Sequence, residues 1–151
     1  MPGALRLIEG PVFSGKSQVA KDAIRDDEAD ILVEYSSLWA ATRAVERDPD
    51  TGKYPVRADD DPFNEMGYGV ALKSAAVSMA LRRDLRVIVS SGVRGEVEKW
   101  RDVAAVQSAK FSVQTIDPGA DKILQRIEDN GGEIQCYAAG QRWYGKGFGK
   151  K

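Results

Sequence analysis

Eight residues near the start of the chain, Gly10, Pro11, Val12, Phe13, Ser14, Gly15, Lys16 and Ser17, hold the spacing G-x-x-x-x-G-K-[ST]. That order of residue types serves one kind of chemistry. Its glycines let the backbone turn so that successive N–H groups point inward, and the helix that follows brings the positive end of its dipole to the same place. An anion with several oxygens fits such a cradle. In this pattern the lysine reaches the β- and γ-phosphates of a nucleotide and the hydroxyl after it serves magnesium, so Lys16 and Ser17 are the expected contacts, with Gln18 beside them in the first helical turn. A chain with 15 glycines meets some spacings by chance. Here, however, an apolar strand precedes the loop and an amphipathic helix follows it, which is the context the chemistry requires.

Phosphoryl chemistry also needs a carboxylate near the metal and cations over the transferring group. The third apolar run ends in Ser90-Ser91-Gly92, without an acid. Glu34, at the end of the second, is therefore the candidate for holding magnesium and activating an acceptor hydroxyl or water; its competing role is a solvated strand-end charge. The triplet Asp59-Asp60-Asp61 is a further acidic candidate that reads better as a polar surface loop. Arg94, just after the third strand, is the candidate cation, whereas Arg101 and Arg126 fall on helical stretches and read as surface or salt-bridging residues. Asp117-Pro-Gly119 follows the fourth strand, as either a contact for a nucleotide base or a plain turn. Arg142, Trp143, Tyr144, Lys146, Phe148, Lys150 and Lys151 interleave aromatic and basic residues, a mixture suited to single-stranded nucleic acid. We read Trp143 and Tyr144 instead as core anchors.

Composition narrows the chemistry further. The chain has no histidine, so neither a Ser-His nucleophile nor a His-ligated metal is available. Proton transfer falls to a carboxylate, a lysine or metal-held water. With 22 basic and 23 acidic residues the formal charge is -1, which gives no global pull toward nucleic acid or a membrane surface. Cys136 is the lone cysteine, consistent with a reducing compartment. No apolar run approaches the roughly 20 residues of a membrane span, and no signal region opens the chain, so a cytoplasmic location is expected.

The elements that must hold these residues alternate in type. Leu5 to Ile8 reads as a strand, and the helix from about Lys16 carries Val19, Ala20, Ala23 and Ile24 on one face. Asp30 to Tyr35 reads as a second strand, with Ser36-Ser37 as a cap for a short helix through Leu38, Trp39, Thr42 and Val45. Residues 46–64 are polar and rich in turn formers, and loops of that length serve as lids or binding loops. A helix over Glu65–Arg83, a strand over Leu85–Val89, a helix over Gly95–Ser108, a strand over Phe111–Ile116 and a helix holding Ile123, Leu124 and Ile127 complete the alternation. Ile134, Tyr137, Gln141 and Tyr144 favour a last helix, although Ile134, Cys136 and Ala138 also suit a strand. This pattern specifies one α/β domain over residues 1–144, with a mainly parallel sheet of four to five strands and helices on both faces. Residues 145–151 have little apolar content and read as a loose tail.

With these residues named, the chain resembles the small P-loop ATPases and nucleotide-kinase-like proteins common in the genomes of tailed bacteriophages and often labelled AAA-family ATPases. The likeness rests on Gly10 to Ser17, the strand ending at Glu34, Val87 to Val89 leading to Trp100-Arg101, Asp117 to Gly119, and Trp143-Tyr144. It implies a three-layer P-loop NTPase fold with the loop strand central, and ATP or another nucleoside triphosphate with magnesium as ligand. Two functions follow as expectations. One is a magnesium-dependent kinase-like phosphotransferase or NTPase, acting on an unspecified phosphoryl acceptor presented by the 46–64 loop, with Lys16 and Arg94 stabilising charge and Glu34 activating the acceptor. The other is a weakly hydrolysing nucleotide-binding accessory protein, partnered with a phage assembly or virion, motivated by the missing third-strand acid.

Overall fold

The computed structural model describes residues 3–44, 46–52 and 67–149. Four strands, β1 (Ala4–Glu9), β2 (Ile31–Val33), β3 (Arg86–Ser91) and β4 (Lys110–Thr115), form a sheet in the order β2-β3-β1-β4, every neighbouring pair parallel. The first strand is interior, with Leu7 opposite Val89 of β3 on one side and Val113 of β4 on the other. All four strands therefore end at the same edge, where ligands of such sheets bind.

Among the described residues six helices connect them: α1 (Lys16–Arg25), α2 (Tyr35–Thr42), α3 (Tyr68–Arg82), α4 (Val97–Val106), α5 (Ala120–Asp129) and α6 (Ile134–Tyr144). Alternation along the strands divides the core into two. Leu5, Leu7, Val87 and Val89 face Val77 and Leu81 of α3 and Trp100 and Ala104 of α4, whereas Ile8 and Ile88 point the other way, onto Ala20 and Ala23 of α1. Helices thus cover both faces. Leu7, Ile8, Ile88, Val89 and Trp100 are fully buried, and each large apolar side chain removed from water in this way contributes about 1.5–3 kcal/mol.

Several boundaries differ from the sequence reading for identifiable reasons. The second strand is short because it pairs only over Ile31–Val33, and Leu38 N–H already bonds the Glu34 carbonyl at 3.1 Å, so the helix begins at Tyr35. Ser36 and Ser37 consequently sit inside the first turn of α2; Glu34 occupies the N-cap position and no side chain caps it. Val45, Glu65 and Met66 of the expected helices, most of the 46–64 loop and the Asp59–Asp61 triplet lie outside the described residues. The stretch after Gly132 is the helix favoured above, α6. Beyond it the expected loose tail turns back at Phe148, whose ring is 7% exposed and stacks on Tyr144 with centroids 5.3 Å apart. A Cβ on Gly140 would overlap that ring, so glycine makes room for it. No helix among the described residues is long and apolar enough to cross a membrane.

Candidate phosphate-binding site

The loop leaves β1 at Gly10, whose N–H bonds the Ser91 carbonyl at 3.1 Å and so ties it to the end of β3. A side chain there would collide with the Ile116 carbonyl and the Ser14 hydroxyl. Ser14 N–H closes a turn onto the Pro11 carbonyl at 3.1 Å, Phe13 adopts φ 58°, and Gly15 adopts φ 95° as the N-cap of α1. Gly15 has open space around it, so its glycine answers to conformation and not to crowding. No side chain caps α1 and no acid lies in its first turn. The free N–H groups and the dipole's positive end are left to an external anion.

Three side chains converge at this helix end. Lys16 Nζ donates to the Pro11 carbonyl at 3.2 Å, folded onto its own loop. Burial pulls its pKa below the ordinary lysine value, and the nearby Glu34 charge opposes that shift. Ser17 Oγ donates to Glu34 Oε2 at 3.4 Å. Among the described residues the other carboxylate oxygen, Glu34 Oε1, and the Ser14 hydroxyl are buried without a hydrogen-bond partner. Buried polar atoms without partners are costly, and at a functional site they mark where a ligand or ion completes the shell. A hydroxyl and a carboxylate beside a lysine form an oxygen donor set that suits magnesium and a phosphate chain. Among the described residues no group of three or more His, Cys, Asp or Glu forms a metal centre, so phosphate oxygens and water would supply the remaining ligands.

The loop opens on a cleft of about 1040 Å³. One wall is Val12 to Gln18 with Lys21, a second is Glu34 with Ser36, Ser37 and Trp39, and a third is the face of α6 carrying Gln135, Ala138, Ala139 and Arg142. Arg47 and Gly52 complete the rim. Gln18 stands at the edge, its amide bonded to Asp22 at 2.9 Å.

Arg94 is not brought to the loop. Its guanidinium donates to the Trp143 carbonyl at 2.9 Å, pairs with Asp117 at 3.4 Å and lies 4.3 Å from the Trp143 ring centroid. Asp117 in turn accepts from Trp143 Nε1, the Gly119 N–H and the Tyr144 hydroxyl. Burial pushes the Asp117 pKa up, but these donors and Arg94 outweigh it and leave it below its ordinary value; burial and then the Asp117 contact raise that of Tyr144. This cluster anchors α6 to the end of β4, so Trp143, 3% exposed, is a core anchor as its sequence context suggested. Arg101 is the salt-bridging residue expected of it, paired with Glu98.

Three basic residues matter that sequence reasoning passed over. Arg126, taken for a surface or salt-bridging residue, donates to the Phe13 carbonyl at 2.7 Å and braces the loop from α5. Arg142, taken for part of the tail's basic pattern, lines the cleft. Lys73 is buried at 7% exposure and donates to the Ser90 carbonyl at 2.5 Å. Burial lowers its pKa to about 8, with Glu96 opposing most among the nearby charges. A signal for Lys73 existed: it shares the buried stripe of α3 with Gly69, Val77 and Leu81, where a lysine is out of place.

No family model matches the chain, and no curated protein does. Solved structures do. A chain in the structure of the Pnkp1/Rnl/Hen1 RNA repair complex superposes with a TM-score of 0.63 at 20% identity, over 96% of this chain and 44% of that one. A gluconokinase from Sinorhizobium meliloti 1021 gives 0.54 at 16% identity, over 99% of this chain and 78% of that one. The APS kinase CysC of Mycobacterium tuberculosis gives 0.52 at 16% identity, over 78% of each chain. The chain therefore spans less than half the length of the RNA-repair chain it matches. The bacteriophage and AAA labels find no support among these neighbours. At such identities the likeness establishes architecture, and the architecture is the three-layer α/β fold of the P-loop kinases.

Proposed function

We propose that the chain binds a nucleoside triphosphate, ATP, with magnesium at Gly10–Ser17, and transfers its terminal phosphoryl group to an acceptor held in the adjoining cleft. The observation that carries this reading is the meeting of the Ser17 hydroxyl and the Glu34 carboxylate at the uncapped N-terminus of α1, 3.4 Å apart. Kinase-fold neighbours support it.

Backbone N–H groups of the Val12–Ser17 stretch hold the phosphate chain, except that of Ser14, which is bonded to the Pro11 carbonyl. Lys16 leaves the Pro11 carbonyl and follows charge onto the terminal phosphate. Ser17 and Glu34 would hold magnesium, which neutralises developing charge when bound. Glu34, through its unpartnered Oε1, accepts the proton of an acceptor hydroxyl presented along α2. Ser36 and Ser37 offer that acceptor two hydroxyls, and Arg47 and Arg142 offer positive charge at the rim. Such a protein works where ATP is made available, in the cytoplasm.

The test is an ATP-consumption assay across nucleosides, nucleotides, polynucleotide ends and small polyols, with Lys16→Ala as control. Removing a lysine from the phosphate contact is expected to lower kcat/KM by about 10²-fold or more. Turnover by Lys16→Ala equal to wild type would sink the reading. A second reading, a nucleotide-binding accessory protein with little turnover, is favoured by the acid-free end of β3 and by the diversion of Arg94 to Asp117 and Trp143. Tight ATP binding without consumption in the presence of every acceptor class would select it.

A further inference from the structure

Lys73 is a lysine on the apolar stripe of α3, and packing alone does not account for it. Among the described residues no carboxylate pairs with it; burying an ammonium in this way is costly, and an apolar residue of similar length would fill the space at lower cost. Its three donors meet one hydrogen-bond acceptor among the described residues, the Ser90 carbonyl, and the Trp100 ring centroid lies 5.5 Å away.

Position suggests its purpose. Ser91, next along β3, receives the Gly10 N–H, and a Cβ on Gly92 would lie 4.0 Å from Lys16 Nζ. The end of β3 is thus a thin wall, with Lys16 in front and Lys73 behind. The charges acting on Lys73 come from Glu96 and Lys99 on the α4 side, Glu34 before α2, and Lys16 on α1. Phosphoryl transfer requires cations around the terminal phosphate, and Arg94, the cation expected from sequence, is held by Asp117 and Trp143.

We propose that Lys73 is a second, fixed cation of the phosphate site, a positioning residue that stabilises the bound polyphosphate through the strand end it braces. The inference rests on the nucleotide-binding reading above. A charge in a water-poor surrounding acts over a longer range than one in solvent, so Lys73 needs no direct contact. It also makes affinity follow the protonation of Lys73, falling as pH rises past about 8.

Calorimetric titration with inorganic tripolyphosphate and with magnesium–ADP, across the pH range that brackets this titration, tests the proposal on wild type, Lys73→Met, Lys73→Arg and Lys16→Ala. Lys73→Met is expected to bind about tenfold more weakly at neutral pH, while melting at or above the wild-type temperature because a buried charge is gone. Lys73→Arg, charged throughout, is expected to flatten the alkaline decline, which a purely structural lysine would not do. Unchanged affinity and an unchanged pH profile in both variants overturn the proposal. Lower melting together with weaker binding in Lys73→Met, with no flattening in Lys73→Arg, also overturns it and marks a structural brace. If wild type and Lys16→Ala bind alike, or neither binds, the nucleotide-binding reading itself fails.

Discussion

Glu34 and Lys16 share one small volume with opposite charges, and their division of labour is open to separation by mutation. Glu34→Gln keeps size and a hydrogen-bonding oxygen but removes the charge that Ser17 and Lys16 face. It is expected to lower kcat by about 10²–10⁴-fold, as for loss of a general base. Affinity for nucleotide without metal should hold or improve, since a negative charge beside the phosphates is gone. Measuring kcat together with Kd at zero magnesium checks this, and a proportional loss of both would assign Glu34 to structure. The types of these residues were legible in the sequence, because G-x-x-x-x-G-K-S is a local pattern whose meaning depends on one loop and one helix. Glu34 was a candidate for the magnesium site from its place at a strand end, with a solvated charge as the alternative, and its contact with Ser17 emerges only in the parallel sheet. Arg126 was not legible, because an arginine in a helix reads as solvated until its facing elements are known, whereas Lys73 left only its place on the apolar stripe of α3 as a signal.

At the scale of elements, two joints lend themselves to measurement. Arg86 at the start of β3 bonds both Asp30 oxygens and reaches the Asp27 carbonyl and side chain, tying the turn after α1 to the sheet. Hydrogen bonds from Arg86 hold the Asp30 pKa at about 2, below its ordinary value of 3.8. A carboxylate whose folded pKa is depressed stabilises the fold above its unfolded value and loses that contribution as pH falls toward the folded one. Melting temperature should therefore drop between pH 3.8 and about 2 by more in wild type than in Asp30→Asn; parallel curves would remove Asp30 from the acid response. The second joint is α6 against the chain end. Gly140→Ala places a methyl group into the Phe148 ring and is expected to cost about 1–3 kcal/mol, as for overpacked sites. Gly140→Ala combined with Phe148→Ala should recover part of that loss in chemical denaturation. Neither joint was visible beforehand: the tail's apolar content is low, and its one buried ring is supported by a glycine eight residues earlier in the chain.

For the whole molecule, the order β2-β3-β1-β4 brings every strand end to one edge and gathers the phosphate loop, Glu34, Ser90 and Asp117 along it. The edge divides into two functions. The ends of β1 and β2, with one face of α6, line the cleft, while Asp117 after β4 is bonded to Arg94 and to Trp143 of the same helix. Asp117→Asn is expected to lower the melting temperature, by weakening the Arg94, Trp143 and Tyr144 contacts, with phosphate affinity close to wild type; a selective loss of nucleotide binding would return Asp117 to the site. The sequence by itself determined the alternation of strands and helices, the parallel α/β class and the glycine-bounded loop Gly10–Ser17 between β1 and α1, because periodicity and a contiguous motif are local properties of the chain. Only the tertiary structure decided that Arg94 is held by Asp117 and Trp143, that Arg126 bonds the Phe13 carbonyl and Lys73 the Ser90 carbonyl, and that Phe148 is buried. Those outcomes depend on which elements face one another across the sheet edge, and that is settled by packing between residues far apart in sequence.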